Sequence, residues 1–103
     1  MKTTSILVLA PALLFAAAAQ AQENLLARNL AATCANCHGT NGQARGGDMK
    51  PLAGVPADKI LAMLADFKSG AQPSTIMGQI AKGYTDDQVK LIAAFFAAQP
   101  AKK

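Results

Sequence analysis

A chain of 103 residues with a formal net charge of +4 has room for one domain at most. Its basic residues are scattered, only Lys102 and Lys103 being adjacent, and no aromatics interleave with them, which argues against a nucleic-acid partner. The longest apolar stretch, residues 6–19, is broken by Pro11 and falls short of the roughly 20 residues that a spanning helix needs, so no transmembrane segment is expected.

Residues 1–21 read as a cleaved secretory signal peptide. Lys2 is the only charge before Glu23, an apolar run follows it, and Ala19-Gln20-Ala21 has the small-x-small pattern of a cleavage site. Cleavage at Ala21 leaves residues 22–103 as the mature domain, exported to an oxidising compartment. Removing Lys2 with the signal lowers the net charge to +3, which is compatible with docking an acidic protein but does not identify one. The mature domain has four aromatics, Phe67, Tyr84, Phe95 and Phe96, and much of its remaining apolar content is alanine. So small a chain buries little volume by itself and calls for a staple or a large prosthetic group.

The first mature element is a helix with Asn24 as N-cap and a stripe of Leu26, Leu30, Cys34 and Cys37. It leads into Cys34-Ala35-Asn36-Cys37-His38, the CxxCH string that attaches c-type haem. On a helical turn, positions i, i+3 and i+4 project the same way. Two thiols can then add to the two vinyl groups of one porphyrin edge, and His38 follows with an imidazole for the iron. A thioredoxin-like disulfide wants strands alternating with helices, and no convincing strand is found. A structural zinc normally takes four ligands, and the chain has two cysteines and one histidine. One covalently attached haem c is the cofactor this reading requires.

Residues 39–54 hold five of the eight glycines and Pro51, and read as a loop. Residues 56–68 return to helical period with Ile60, Met63, Leu64 and Phe67 on one face, Pro56 in the first turn and Gly70 as the stop. A short helical piece spans residues 74–82. The last helix opens on Thr85-Asp86-Asp87-Gln88, a capping box with two acids at the positive end of the dipole. Its apolar face is Val89, Ile92, Ala93 and Phe96, and Pro100 ends it. The fold class is therefore all-α, about four short helices wrapped around one haem.

With His38 the only histidine, the sixth ligand should be a methionine thioether: Met49, Met63 or Met77. Met49 follows His38 too closely to round the porphyrin, and Met63 sits on a helix face where methionine is usually core filler. Met77, beside the helix breakers Pro73 and Gly78, is the expected ligand. A thioether raises the reduction potential relative to bis-histidine ligation. With both axial positions filled, substrate chemistry at the iron is disfavoured, and the reading is an electron carrier.

The segment Leu30-Ala31-Ala32-Thr33-Cys34-Ala35-Asn36-Cys37-His38-Gly39-Thr40 resembles the haem segment of class I cytochromes c. Phe67-Lys68-Ser69-Gly70 and the run from Ser74 to Tyr84 resemble the cytochrome subunit of flavocytochrome c sulfide dehydrogenase, over nearly the whole mature chain. The resemblance implies a periplasmic electron-transfer subunit, in single-haem form, paired with an FAD-containing flavoprotein that oxidises sulfide. The haem would accept the flavin's electrons singly and pass them to a mobile cytochrome. It also implies Cys34 and Cys37 as haem attachments, with His38 and Met77 as axial ligands. Class I cytochromes often place a proline four residues before the loop glycine, its carbonyl orienting the proximal imidazole. Lys50 holds that place here, with proline at Pro51, and either carbonyl is a candidate. Ala35, Ile76 and Gly78 are expected to rim an exposed haem edge. The alternative function is a free-standing monohaem shuttle.

Overall fold

The computed structural model describes residues 6–101, and the side chains of residues 11–101; Lys2, Lys102 and Lys103 lie outside the described residues. Among the described residues five helices follow in chain order, α1 (Ile6–Ala32), α2 (Ala35–His38), α3 (Ala57–Ser69), α4 (Met77–Lys82) and α5 (Asp86–Ala97), with one 3-10 turn at Thr40–Gly42. Among the described residues there is no strand.

Helix α1 is longer than the sequence suggests. Between Pro11 and Ala32 it contains no glycine or proline and is rich in alanine and leucine, the best helix formers, so nothing interrupts it at Asn24. Asn24 is therefore an interior residue and not an N-cap. The stripe holds in its middle and fails at its ends: Leu30 and Cys34 pack against the core, Leu26 is 51% exposed and Cys37 is exposed, and the fully covered positions are Ala27 and Ala31, one turn apart. Small side chains at this crossing let α1 lie close against α5, whose Ile92, Ala93 and Phe96 complete the contact.

Ile60 is the buried residue of α3, and it joins Ala31 and the three α5 residues in one cluster. Met63, expected as filler on the same face, is 37% exposed. Leu61, Leu64 and Tyr84 pack against the cluster instead, so the buried face of α3 is turned toward Leu61 and Leu64 and away from Met63. The only large side chain among the described residues that is fully buried is Phe96, with the Phe95 ring edge-on to it at 5.3 Å between centroids.

The helix ends follow local chemistry. Pro56 precedes α3, and Gly70, at φ +87°, takes the left-handed conformation that closes it. At α5 the Thr85 hydroxyl oxygen accepts from the Gln88 amide (3.2 Å), and the Gln88 side-chain oxygen accepts from the Thr85 amide (2.9 Å). Helix α4 begins at Met77 rather than at residue 74, because Ser74 acts from outside. Its hydroxyl oxygen accepts from the Gly78 amide at 2.9 Å and satisfies one of the helix's free donors.

The glycine-rich loop is folded back on itself by backbone bonds. The Gly42 carbonyl accepts from both the Leu52 and Ala53 amides (2.9 and 3.1 Å), and the Gly54 amide donates to the Phe96 carbonyl (2.9 Å). Gly42 has to be glycine. Its φ is +76°, and a Cβ there would meet the Ala53 nitrogen at 2.7 Å and the Phe96 ring at 2.8 Å.

Candidate functional site

The end of α1 delivers the first cysteine. The Cys34 amide donates to the Ala31 carbonyl at 3.1 Å, and the Cys34 carbonyl then accepts from the Cys37 (3.3 Å) and His38 (2.9 Å) amides. Those two bonds wind α2 and set Cys34, Cys37 and His38 on one helical turn, as their spacing predicts. Both thiols are free, Cys34 half-buried and Cys37 exposed. Burial pushes the Cys34 thiol above its ordinary pKa.

The imidazole is oriented from the loop. His38 Nδ1 lies 2.7 Å from the Lys50 carbonyl oxygen. A carbonyl only accepts, so Nδ1 carries the proton, and Nε2 keeps its lone pair for a metal. Of the two candidate carbonyls, Lys50 is thus the acceptor. Two features aim it. Pro51 restricts the residue before it to extended backbone, and the Leu52 and Ala53 amides are pinned to Gly42 immediately beyond.

Met77 stands on a separate element, as the first residue of α4, and is partly buried. Its neighbour Ile76 is 56% exposed. Gly78, expected on an open rim, is partly buried: a Cβ there would sit 3.3 Å from the Phe67 carbonyl oxygen and from the Ser74 hydroxyl. The tie between this element and the cysteine turn is a hydrogen bond of 2.6 Å between the hydroxyls of Thr33 and Tyr84. Sequence reasoning missed Thr33, Ser74 and Tyr84. That Tyr84 is the only tyrosine was legible, but nothing local pairs it with a threonine 51 residues away.

The residues present fit a covalently attached haem. Two free thiols and an imidazole with an open Nε2 share one turn, which is the donor set for thioether attachment and one axial bond. The side-chain core is alanine-rich with one large buried ring, while Leu26 and Ile76 remain exposed, so the fold has apolar surface for a porphyrin to cover.

The cytochrome c family model matches residues 26–99. The chain is 42% identical to the cytochrome subunit of sulfide dehydrogenase from Chlorobaculum tepidum over 65% of its own length and 60% of that protein's. It is 37% identical to the thiosulfate dehydrogenase electron acceptor of Stutzerimonas stutzeri over 62% of this chain, spanning 31% of that protein. It is 36% identical to cytochrome c-553 of Helicobacter pylori over 64% of this chain and 70% of that protein. The chain belongs to the cytochrome c family, whose members carry covalently bound haem c and transfer electrons, and one haem suits one small domain.

Proposed function

We propose that this protein is an exported, periplasmic electron-transfer subunit that accepts electrons from an FAD-containing flavoprotein acting on sulfide. The observation that carries the haem reading is the turn from Cys34 to His38 with its imidazole fixed by the Lys50 carbonyl. Support for the partner comes from the likeness to a sulfide dehydrogenase cytochrome subunit. Export with cleavage at Ala21 is supported by burial. Residues 11–26 of α1 are all exposed, so the cut removes no core side chain among the described residues.

Bound haem supplies a one-electron iron couple. Cys34 and Cys37 would hold it through thioether bonds, and His38 Nε2 and the Met77 thioether would be the iron ligands. Met49 adjoins Lys50, whose carbonyl ties that stretch of loop to the His38 side. A thioether at Met77 favours the reduced iron and raises the potential. With both ligands supplied by the protein, exogenous ligands would have to compete with a side chain, and outward electron transfer would be the favoured chemistry. Ala35 and Ile76 suit the contact with the flavoprotein, since interface cores favour apolar groups and exclude charge.

Replacing Met77 with alanine should abolish the near-infrared sulfur-to-iron band of the oxidised protein and lower its potential, with the haem still covalently attached. Retention of the band would overturn the ligand assignment. The partner is tested by stopped-flow haem reduction with sulfide in the presence of a purified sulfide-oxidising flavoprotein. Reduction should be much faster than with sulfide alone, and Ala35→Asp should slow it without changing the haem spectrum. Equal rates and no complex would favour the second reading, a free-standing monohaem shuttle, for which the larger share covered of cytochrome c-553 speaks.

A further inference from the structure

We propose that Tyr84 and Thr33 form a clamp that keeps Met77 in place, making Tyr84 a positioning residue for the axial thioether. This rests on Met77 being the ligand.

The direction of the bond follows from proton counting. Thr33 Oγ1 donates its one proton to the Leu30 carbonyl at 3.1 Å, so in the 2.6 Å contact the Tyr84 hydroxyl is the donor and Thr33 the acceptor. A relay therefore runs from Tyr84 through Thr33 into the backbone of α1. Its two ends have particular addresses. Thr33 immediately precedes Cys34, and Tyr84 immediately follows Gly83, which caps α4. Helix α4 is a single rigid piece of six residues with Met77 at its first position. Fixing its far end to the cysteine turn fixes the arc on which Met77 can move.

Other contacts hold Tyr84 to this task. Its ring packs against the core cluster. Its carbonyl accepts from Lys68 Nζ at 3.3 Å, which ties it to the end of α3 as well. At the other end of α4, Ser74 binds the Gly78 amide but lies in the segment that leads directly into α4, so it cannot register that helix against α1. Among the described residues, the Tyr84–Thr33 pair is the one hydrogen bond between two side chains, and it connects the segment that ends in the cysteine turn with the one that follows Met77.

The test uses the purified holoprotein and imidazole, a small ligand that binds ferric iron when the methionine leaves. If displacement of Met77 must also break the clamp, removing the clamp makes displacement easier. Tyr84→Phe keeps the ring and its packing but removes the donor. It should raise the imidazole affinity of the oxidised protein about fivefold, in keeping with the modest net worth of a partly exposed hydrogen bond, and weaken the sulfur-to-iron band. Thr33→Val should do the same, and adding it to Tyr84→Phe should change nothing further. Thr33→Ser should restore wild-type behaviour. A purely structural bond would lower the melting temperature in Tyr84→Phe and Thr33→Val while leaving imidazole affinity and the band unchanged, and that result would overturn the proposal. Wild-type protein lacking the band altogether would instead overturn the assignment of Met77, and the clamp with it.

Discussion

Around His38 the ties are made to backbone groups: the Lys50 carbonyl accepts from the imidazole Nδ1–H, the Gly42 carbonyl accepts from two amides, and the Gly54 amide donates to the Phe96 carbonyl. Around Met77 the ties are made by side chains: Ser74 to the Gly78 amide, Tyr84 to Thr33, and Lys68 to the Tyr84 carbonyl. The difference has a consequence for sequence change. A backbone scaffold tolerates substitution wherever the backbone path is kept, and fails sharply at a residue whose conformation only glycine can adopt. A side-chain scaffold loses a fraction of its hold with each group removed. The His38 side should therefore respond to mutation in an all-or-none way, and the Met77 side by degrees.

Gly42→Ala should have the largest effect. The left-handed φ costs an alanine about 1–2 kcal/mol, and the added carbon overlaps the Ala53 nitrogen and the Phe96 ring. Overpacking of that kind adds about 1–3 kcal/mol. Chemical denaturation of the holoprotein should show a loss near the sum, accompanied by poor haem incorporation. Near-wild-type stability would mean that the loop has another path, and the comparison would fail.

Ser74→Ala comes next. Losing a side-chain acceptor at a helix N-terminus costs about 1 kcal/mol. Because Ser74 caps the helix that begins at Met77, the loss should appear as easier displacement of Met77 by imidazole as well as a lower midpoint in denaturant. An effect on midpoint alone would show the Met77 side to be less graded than argued.

Met63→Ala should cost less than the 2–5 kcal/mol typical of a buried methionine, since a third of its surface is already exposed. A loss of about 1 kcal/mol or less is expected. The sulfur-to-iron band should stay intact, which separates this methionine from Met77.

Lys50→Ala should do least. The acceptor for His38 is the carbonyl, which alanine also supplies, and Pro51 still restricts the position to extended backbone. Stability should move by no more than about 0.5 kcal/mol, and the reduction potential should stay close to wild type. A large drop in potential would show that the ammonium, and not the carbonyl, carries the role of this residue.

Most of the attachment site was legible in one line of sequence, because CxxCH is a local motif. Three residues on one helical turn need no tertiary contact to come together, and α2 winds as their spacing requires. The capping box at Thr85 and Gln88 and the left-handed glycine after α3 were legible for the same reason, each being settled within four residues of chain. Boundaries were less so. The N-terminal helix passes through Asn24 because the preceding alanine-rich segment is itself helical, and α4 starts three residues late because Ser74 caps from the loop rather than from within the helix.

The sequence by itself determined the donor types, the all-helical class and the order of the elements, since periodicity, capping and a contiguous motif act over a turn or two of chain. Tertiary structure decided which carbonyl meets His38, that Ala31 rather than Leu26 packs with the α5 residues, and that Tyr84 reaches Thr33. Each of these depends on how a loop of many residues closes or on the angle at which two helices cross. Those are set by the packing of the whole domain, and no local propensity encodes them.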